Sequence, residues 1–262
     1  MKTLSIGGFI PFTTIDCPGK TACVLFLRGC PWRCKYCSNP ELLEYGTSPE
    51  DESSWERILN FLNKRKGILD AVVFSGGEAT SQSDALIKAI LQIKQLPCMP
   101  AIFDPQVPRG GVTKNPKDFS ASRTCWVDGK AAQSYKIGLH TNGAFPDKLK
   151  TLLPHIDWIG LDIKTDENNY ENLTGASGAY ANTMKSLDLI IASGIDFEVR
   201  TTLDPRFITK ESLNDLALIL HAKGVKNFAL QRCRIEGAIT PFTSLIDESY
   251  IRSLFPTLTL RS

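Results

Sequence analysis

The segment RGCPWRCKYCSNPELL, residues 28–43, governs how the rest of the sequence is interpreted. It places Cys30, Cys34 and Cys37 within eight residues, directly after an apolar run. Three thiols are one short of the four ligands that a structural zinc site takes, and disulfides consume thiols in pairs. The spacing therefore indicates a metal centre whose protein ligand shell is incomplete.

An iron–sulfur cluster is the centre that this loop fits best. Thiolates are the usual ligands of such clusters, and a cluster of four irons normally takes four of them. Three thiolates leave one iron open to a small chelating ligand, as catalytic metals with incomplete protein shells do. The alternative is a zinc knuckle built on Cys34 and Cys37 with remote ligands, the fourth of them being Cys17 or Cys23.

Length and composition favour one globular domain, residues 1–262. The chain has 42% hydrophobic and 22% charged residues, enough for a single well-packed core. The net charge of +2 gives no electrostatic reason to expect nucleic acid or membrane partners. Eight cysteines without an apolar secretory leader indicate reduced thiols, and hence a cytoplasmic protein.

The fold class follows from apolar, β-branched runs that alternate with segments of helical periodicity. Six such runs predict strands, and alternation with helices predicts an α/β fold with a parallel sheet and right-handed crossovers. The predicted strands end near Cys30, Gly76, His140, Asp162, Arg200 and Gln231.

Residues 97–134 interrupt this pattern between the second and third predicted strands. The segment contains five prolines and a Gly-Gly pair, and it shows no sustained periodicity. Without it, the interval between the two strands matches its neighbours. We therefore interpret residues 97–134 as an insertion that forms a lid, a partner-binding loop or a disordered excursion.

Polar residues follow the second and third predicted strands. Gly76 and Gly77 allow a ligand to approach the backbone, and Glu78 is an acceptor for an ammonium group. His140 and Asn142 end the next strand. We expect them to lie at the same end of the sheet as Gly76, Gly77 and Glu78, because β/α barrels build their sites at strand carboxyl ends.

Charged residues end the following two strands. Asp162 and Lys164 are two apart and so share a strand face, where Lys164 can pair with a carboxylate. A simple ion pair between these two residues is the alternative. Arg200 lies within a strand, where a charged side chain needs a partner or a ligand.

The loop GCPWRCKYC resembles the C-x3-C-x2-C motif of the radical S-adenosylmethionine enzymes, which have an aromatic residue before the last cysteine. The resemblance implies a partial six-stranded parallel β/α barrel and one [4Fe–4S] cluster that binds S-adenosylmethionine through its amino and carboxylate groups. The reduced cluster cleaves this cofactor to a radical that abstracts hydrogen. It implies Cys30, Cys34 and Cys37 as cluster ligands, and as cofactor-binding candidates Tyr36, Gly76, Gly77, Glu78, His140, Asn142, Asp162, Lys164 and Arg200.

Further segments resemble the activases of glycyl-radical enzymes, and among them the activating proteins of anaerobic ribonucleoside-triphosphate reductase. These segments are DCPGK, CSNPEL, SGGEAT, HTNG, DIK and FALQR. The resemblance implies a glycyl radical enzyme, an anaerobic ribonucleotide reductase, as partner and a flavodoxin or ferredoxin as reductant. Ser38 departs from the histidine frequent in activases, and Ala79 from the usual proline. A radical enzyme acting on a small molecule and an electron-transfer protein are the alternatives.

Overall fold

The computed structural model describes residues 4–46, 51–96, 125–127, 130–132, 134–235, 238–239, 241 and 245–261. Its main sheet consists of β1 (Ile6–Thr13), β2 (Ala22–Leu27), β3 (Ala71–Gly76), β6 (Lys136–Thr141), β7 (Trp158–Asp162), β8 (Asp196–Leu203), β9 (Asn227–Arg232) and β12 (Thr257–Arg261). The short pairs are β4 (Cys125–Val127) with β5 (Lys130–Ala132), and β10 (Arg234–Ile235) with β11 (Ala238–Ile239).

Helices connect the strands of the main sheet. They are α1 (Asp51–Arg65), α2 (Ser83–Gln95), α3 (Pro146–Leu152), α4 (Glu167–Thr174), α5 (Ala179–Ser193), α6 (Lys210–Ala222) and α7 (Glu248–Leu254), with short 3-10 turns at Pro40–Leu42, Ala79–Gln82 and Leu153–His155. Within the described ranges, none of these helices combines the length and the apolar character needed to cross a bilayer.

The six predicted strands are confirmed, and they lie side by side in chain order. The sheet runs β1-β2-β3-β6-β7-β8-β9-β12, with every neighbouring pair parallel except β1 and β2. The flanking strands β1 and β12 were not predicted. β1 contains Gly7, Gly8 and Pro11, which weaken a strand pattern and are tolerated at an edge.

Because side chains alternate in direction along each strand, the main sheet has one face that packs against the helices and one interior face. On β3, Val72 and Phe74 belong to the large core, while Ala71 and Val73 pack in a second cluster with Cys17 from the loop after β1. Successive side chains of a strand point to opposite faces, so this second cluster lines the concave side of the sheet. The carboxyl ends of the strands at this face carry the polar residues described below.

The predicted insertion, residues 97–134, lies mostly outside the described residues. Within it the structure describes the antiparallel pair β4 and β5 and residue 134. The roles considered for this segment, and the assignment of residues 1–262 to one domain, stay predictions.

Candidate active site

A single cavity at the carboxyl ends of the strands collects most of the predicted site residues. Its walls come from the loop after β2 and from the ends of β3, β6, β7, β8 and β9. The predicted residues that line it are Cys30, Cys34, Cys37, Tyr36, Gly76, Gly77, His140, Asn142, Asp162, Lys164 and Arg200. Glu78 is not among the lining residues.

Backbone hydrogen bonds hold the cysteine loop against α4. The amides of Arg33 and Lys35 donate to the carbonyls of Thr174 and Leu173, at 2.7 and 3.1 Å. These are carbonyls of the last turn of α4, which lack partners within the helix. The loop therefore supplies hydrogen-bond donors to two carbonyls at the end of α4, and the same hydrogen bonds fix the conformation of the loop.

The aromatic residues of the loop cover the cavity wall. Trp32 is buried and packs edge-to-face on Tyr170, with ring centroids 5.8 Å apart. Tyr36 lies beneath Lys164, whose Nζ is 5.8 Å from the ring centroid. Within the described residues the buried Tyr36 hydroxyl has no hydrogen-bond partner. Unsatisfied buried polar groups are costly, so the contact of Tyr36 with a bound cofactor stays a prediction that this free hydroxyl would fit.

Gly76 and Gly77, at the end of β3, allow the backbones of two loops to lie in direct contact. Gly76 has φ +116°, and a Cβ on Gly77 would lie 2.6 Å from the carbonyl oxygen of Gly29. The amide of Glu78 donates to that same oxygen at 2.8 Å. The start of the cysteine loop and the glycine loop are thus in direct contact, and a side chain at either glycine would separate them.

The Glu78 carboxylate is buried and already accepts four hydrogen bonds. Its Oε1 accepts from the Thr80 amide, the Thr80 hydroxyl and the Thr141 hydroxyl, and its Oε2 accepts from the Asn142 amide. Burial raises the pKa of this carboxyl, while these hydrogen bonds oppose the shift. Glu78 therefore ties the ends of β3 and β6 together, and its contact with an ammonium group stays a prediction.

An ion-pair triad forms the charged wall of the cavity. Asp162 accepts from Arg200 Nε at 2.7 Å and from Lys164 Nζ at 3.0 Å. Burial would raise the pKa of Asp162, but the two cations hold it well below its usual range. The ion pair between Asp162 and Lys164, which the sequence analysis gave as the alternative, is present, and Arg200 is a third member of it. Two cations against one anion leave the wall with a charge of +1, which suits an anionic group.

His140 is held as a neutral imidazole inside the sheet. Its Nε2 lies 2.9 Å from the Asp16 carbonyl, and because a carbonyl only accepts, Nε2 carries the proton. Its Nδ1 then accepts from the Ser75 hydroxyl at 3.2 Å. Burial, with Arg200 nearby, lowers the pKa of His140 to about 3. The histidine thereby fixes the loop after β1 to the end of β6.

This burial predicts a pH dependence of stability. Between the folded pKa of about 3 and an unfolded pKa of 6.5, only the unfolded chain protonates His140. The stabilisation is complete above pH 6.5 and is lost as the pH falls, because burial first, and Arg200 second, disfavour a charged imidazole in the folded chain. Between pH 7 and 5, wild type should lose about 2 kcal/mol through this group.

The measurement is urea unfolding of wild type and His140→Gln at both pH values. The variant lacks the titrating group, so its free energy of unfolding should fall by about 2 kcal/mol less than that of wild type over this interval. Parallel pH profiles for the two proteins would show that His140 titrates alike in the folded and unfolded chains.

The donor set fits an iron–sulfur cluster better than a single metal ion. Within the described ranges, no three Cys, His, Asp or Glu side chains converge closely enough to bind one ion. In a cluster each thiolate binds a different iron, so cysteines can line a cavity without converging on a point. Cys17 and Cys23, the fourth ligands considered for zinc, are buried in hydrophobic packing around β2 instead.

The cavity also contains residues that the sequence analysis did not assign. Thr202 and Gln231, from β8 and β9, line the cavity, and Ser75 lies beside His140. Strand periodicity could have identified Thr202, because it lies two residues after Arg200 and so on the same face. The remaining unassigned lining residues are Ser38, Asn39, Leu43 and Thr141.

Comparison with known proteins gives a family match over most of this structure. The model of the radical SAM superfamily matches residues 24–219, from β2 to α6. All the predicted site residues fall within the match, whereas β9 and β12 lie beyond it.

Two curated relatives and one solved structure extend the comparison. A Methanocaldococcus jannaschii protein, provisionally named a glycyl-radical enzyme activating enzyme, is 25% identical over 83% of this chain and 75% of its own. The pyruvate formate-lyase-activating enzyme of Clostridium pasteurianum is 25% identical over 81% of this chain and 74% of its own. The structure of native anSMEcpe with bound AdoMet and Kp18Cys peptide has a TM-score of 0.52 and 16% identity, over 77% of this chain and 48% of its own.

Proposed function

The chain belongs to the radical SAM superfamily, whose members use a [4Fe–4S] cluster and S-adenosylmethionine, and we propose that it activates a glycyl radical enzyme. The observation that carries the proposal is the composition of one cavity. Three cysteines from the loop after β2 line it together with charged and neutral polar residues at the carboxyl ends of the strands. When bound, the reduced cluster supplies the electron that cleaves S-adenosylmethionine and so provides the radical that removes a hydrogen atom from the substrate.

The cysteine loop holds the cluster in this proposal. Cys30, Cys34 and Cys37 supply three thiolates, and the side-chain Nδ2 of Asn142 donates to Cys30 Sγ at 3.6 Å. Burial raises the pKa of the Cys30 thiol to about 11, so ionisation of this thiol is linked to metal binding. Buried Trp32 excludes water from this side of the cavity.

The charged wall and the glycine loop hold the amino acid end of S-adenosylmethionine. Lys164 and Arg200 give the wall its positive charge, which favours a carboxylate. The backbone at Gly76 and Gly77 borders the cavity without side chains, and it is where the ammonium group binds in this proposal. Glu78 keeps this loop in place through its contacts with β6.

The partner that we propose is an anaerobic ribonucleotide reductase. The two curated relatives described above are both named as activating enzymes, and one name specifies glycyl-radical enzymes in general. The resemblance of the cysteine loop and its flanking segments favours the reductase within that class. A flavodoxin or ferredoxin would supply the electron, and the cytoplasm would keep the described free cysteines reduced.

The test combines anoxic, cluster-loaded protein, S-adenosylmethionine, reductant and the anaerobic reductase of the same organism, the reductase being labelled with deuterated glycine. A glycyl radical signal by electron paramagnetic resonance and deuterium in the 5′-deoxyadenosine product are expected together, because the hydrogen atom leaves the glycine. A reductase with its radical glycine replaced by alanine is the control. Cleavage of S-adenosylmethionine without deuterium transfer or glycyl signal would instead support a small-molecule substrate.

A further inference from the structure

The side chain of Asn142, directly after β6, contacts the sulfur of one cysteine of the loop. Its Nδ2 donates to Cys30 Sγ at 3.6 Å, a distance that suits sulfur because sulfur is larger than oxygen. Both residues are buried, with exposed fractions of 7% for Asn142 and 5% for Cys30. Within the described ranges, neither Cys34 nor Cys37 receives a hydrogen bond from a side chain. The contact therefore distinguishes Cys30 from the other two thiols.

Three further hydrogen bonds fix the orientation of Asn142. Its Oδ1 accepts from the Ala144 amide at 2.9 Å, and because an N–H only donates, the NH₂ group must face Cys30. Its backbone amide donates to Glu78 Oε2 at 2.8 Å, and its carbonyl accepts from the Thr183 hydroxyl at 2.9 Å. The donor is thus held against the sulfur by the fold, and it needs no reorganisation when the charge on the sulfur changes.

A fixed donor at a ligand sulfur has a known electrostatic consequence. Reduction adds one negative charge to an iron–sulfur cluster, and part of this charge lies on the ligand sulfurs. A hydrogen bond to sulfur stabilises the more negative state, so it raises the reduction potential of the cluster. The carboxamide of Asn142 is neutral, and it therefore has this effect without adding a charge to the cavity.

We propose that Asn142 raises the reduction potential of the cluster by donating a hydrogen bond to the sulfur of Cys30. It acts through Cys30 and is a positioning residue, not a catalytic one. The inference goes beyond the proposed function, since it concerns the ease with which the cluster accepts an electron and holds for any substrate. Its role is to let a reductant of moderate potential deliver that electron.

The test is a redox titration of the cluster-loaded full chain with dithionite, without S-adenosylmethionine, followed by electron paramagnetic resonance. Asn142→Leu keeps a similar side-chain size and removes the donor. Asn142→Ser also removes Nδ2 but keeps an oxygen that can accept from the Ala144 amide. Each variant should lower the equilibrium constant for reduction by about 10-fold, a shift of about 59 mV to lower potential, because a hydrogen bond to a charged group is lost.

Asn172→Leu is the matched control. Asn172 is exposed on α4, and its Oδ1 accepts from Lys35 Nζ at 2.6 Å, so it contacts the cysteine loop without contacting a sulfur. Its midpoint potential should equal that of wild type. An unchanged or higher potential in the Asn142 variants would overturn the inference, as would an equal downward shift in the control. Loss of iron and sulfide from both Asn142 variants would also overturn it, because Asn142 would then serve assembly and not the potential.

Discussion

Replacing Cys34 by serine is expected to abolish cluster binding and, with it, cleavage of S-adenosylmethionine. The hydroxyl of serine ionises far less readily than a thiol and is a poor ligand for iron in a cluster. Changes in the surroundings of metal ligands alone cost about 10–100-fold, so loss of a ligand should reduce cleavage by about 10³-fold or more. Iron and acid-labile sulfide, counted per chain after anoxic reconstitution, measure the effect directly.

Cys17→Ala provides the matched control for this experiment. Cys17 is buried beside Val24 and Val73, away from the cavity, so its removal takes away only a small apolar group. The control should retain the iron and sulfide content of wild type. Wild-type iron content in Cys34→Ser, or equal loss in both variants, would contradict the assignment of the cluster ligands.

Replacing Asp162 by asparagine should have the largest effect on stability among single isosteric changes at the cavity. The substitution leaves Lys164 and Arg200 largely buried without their shared carboxylate, with side-chain exposures of 14% and 10%. Breaking one side of a buried ion pair costs about 3–5 kcal/mol, because the remaining charge is desolvated and uncompensated. Urea unfolding of the metal-free protein at neutral pH measures the loss without interference from the cluster.

Asp188→Asn is the control for the ion-pair experiment. Asp188 pairs with Lys223 at 2.6 Å on the surface, and both side chains are substantially exposed. Exposed pairs contribute little, so this variant should lose less than about 1 kcal/mol. Similar losses in the two variants would show that the Asp162 triad is as well solvated as a surface pair.

The six parallel strands could be predicted because buried parallel strands carry their signal in consecutive apolar residues. β3, with Val72, Val73 and Phe74 all fully buried, is a clear example. The edge strands could not be predicted in this way. β1 is partly exposed and contains glycine and proline, and β12 is five residues long and only half-buried.

The site was predictable where short motifs follow strands, because parallel strands bring their carboxyl ends to one edge of the sheet. Side-chain direction was less accessible to sequence reasoning. Glu78 follows two glycines, so its orientation is set by Thr141 and Asn142 from a strand that lies more than sixty residues away in the chain. The contact of His140 with the Asp16 carbonyl likewise depends on the loop between β1 and β2, more than a hundred residues away in the chain.

The two walls of the cavity differ in charge. The wall from β7 and β8 carries Asp162, Lys164 and Arg200 and is suited to a charged ligand. The wall from β8 and β9 ends in Thr202 and Gln231 and is neutral.

The central claim is that three thiolates from residues 30–37 hold a [4Fe–4S] cluster with one iron open to S-adenosylmethionine. Electron paramagnetic resonance of the reduced, reconstituted protein tests it most directly, with S-adenosylmethionine labelled by ¹⁷O in its carboxylate. The account predicts a changed cluster spectrum on addition of the cofactor, with ¹⁷O coupling to the cluster. An unchanged spectrum from a protein that contains the full cluster would contradict it, since every iron would then already have its ligand from the chain.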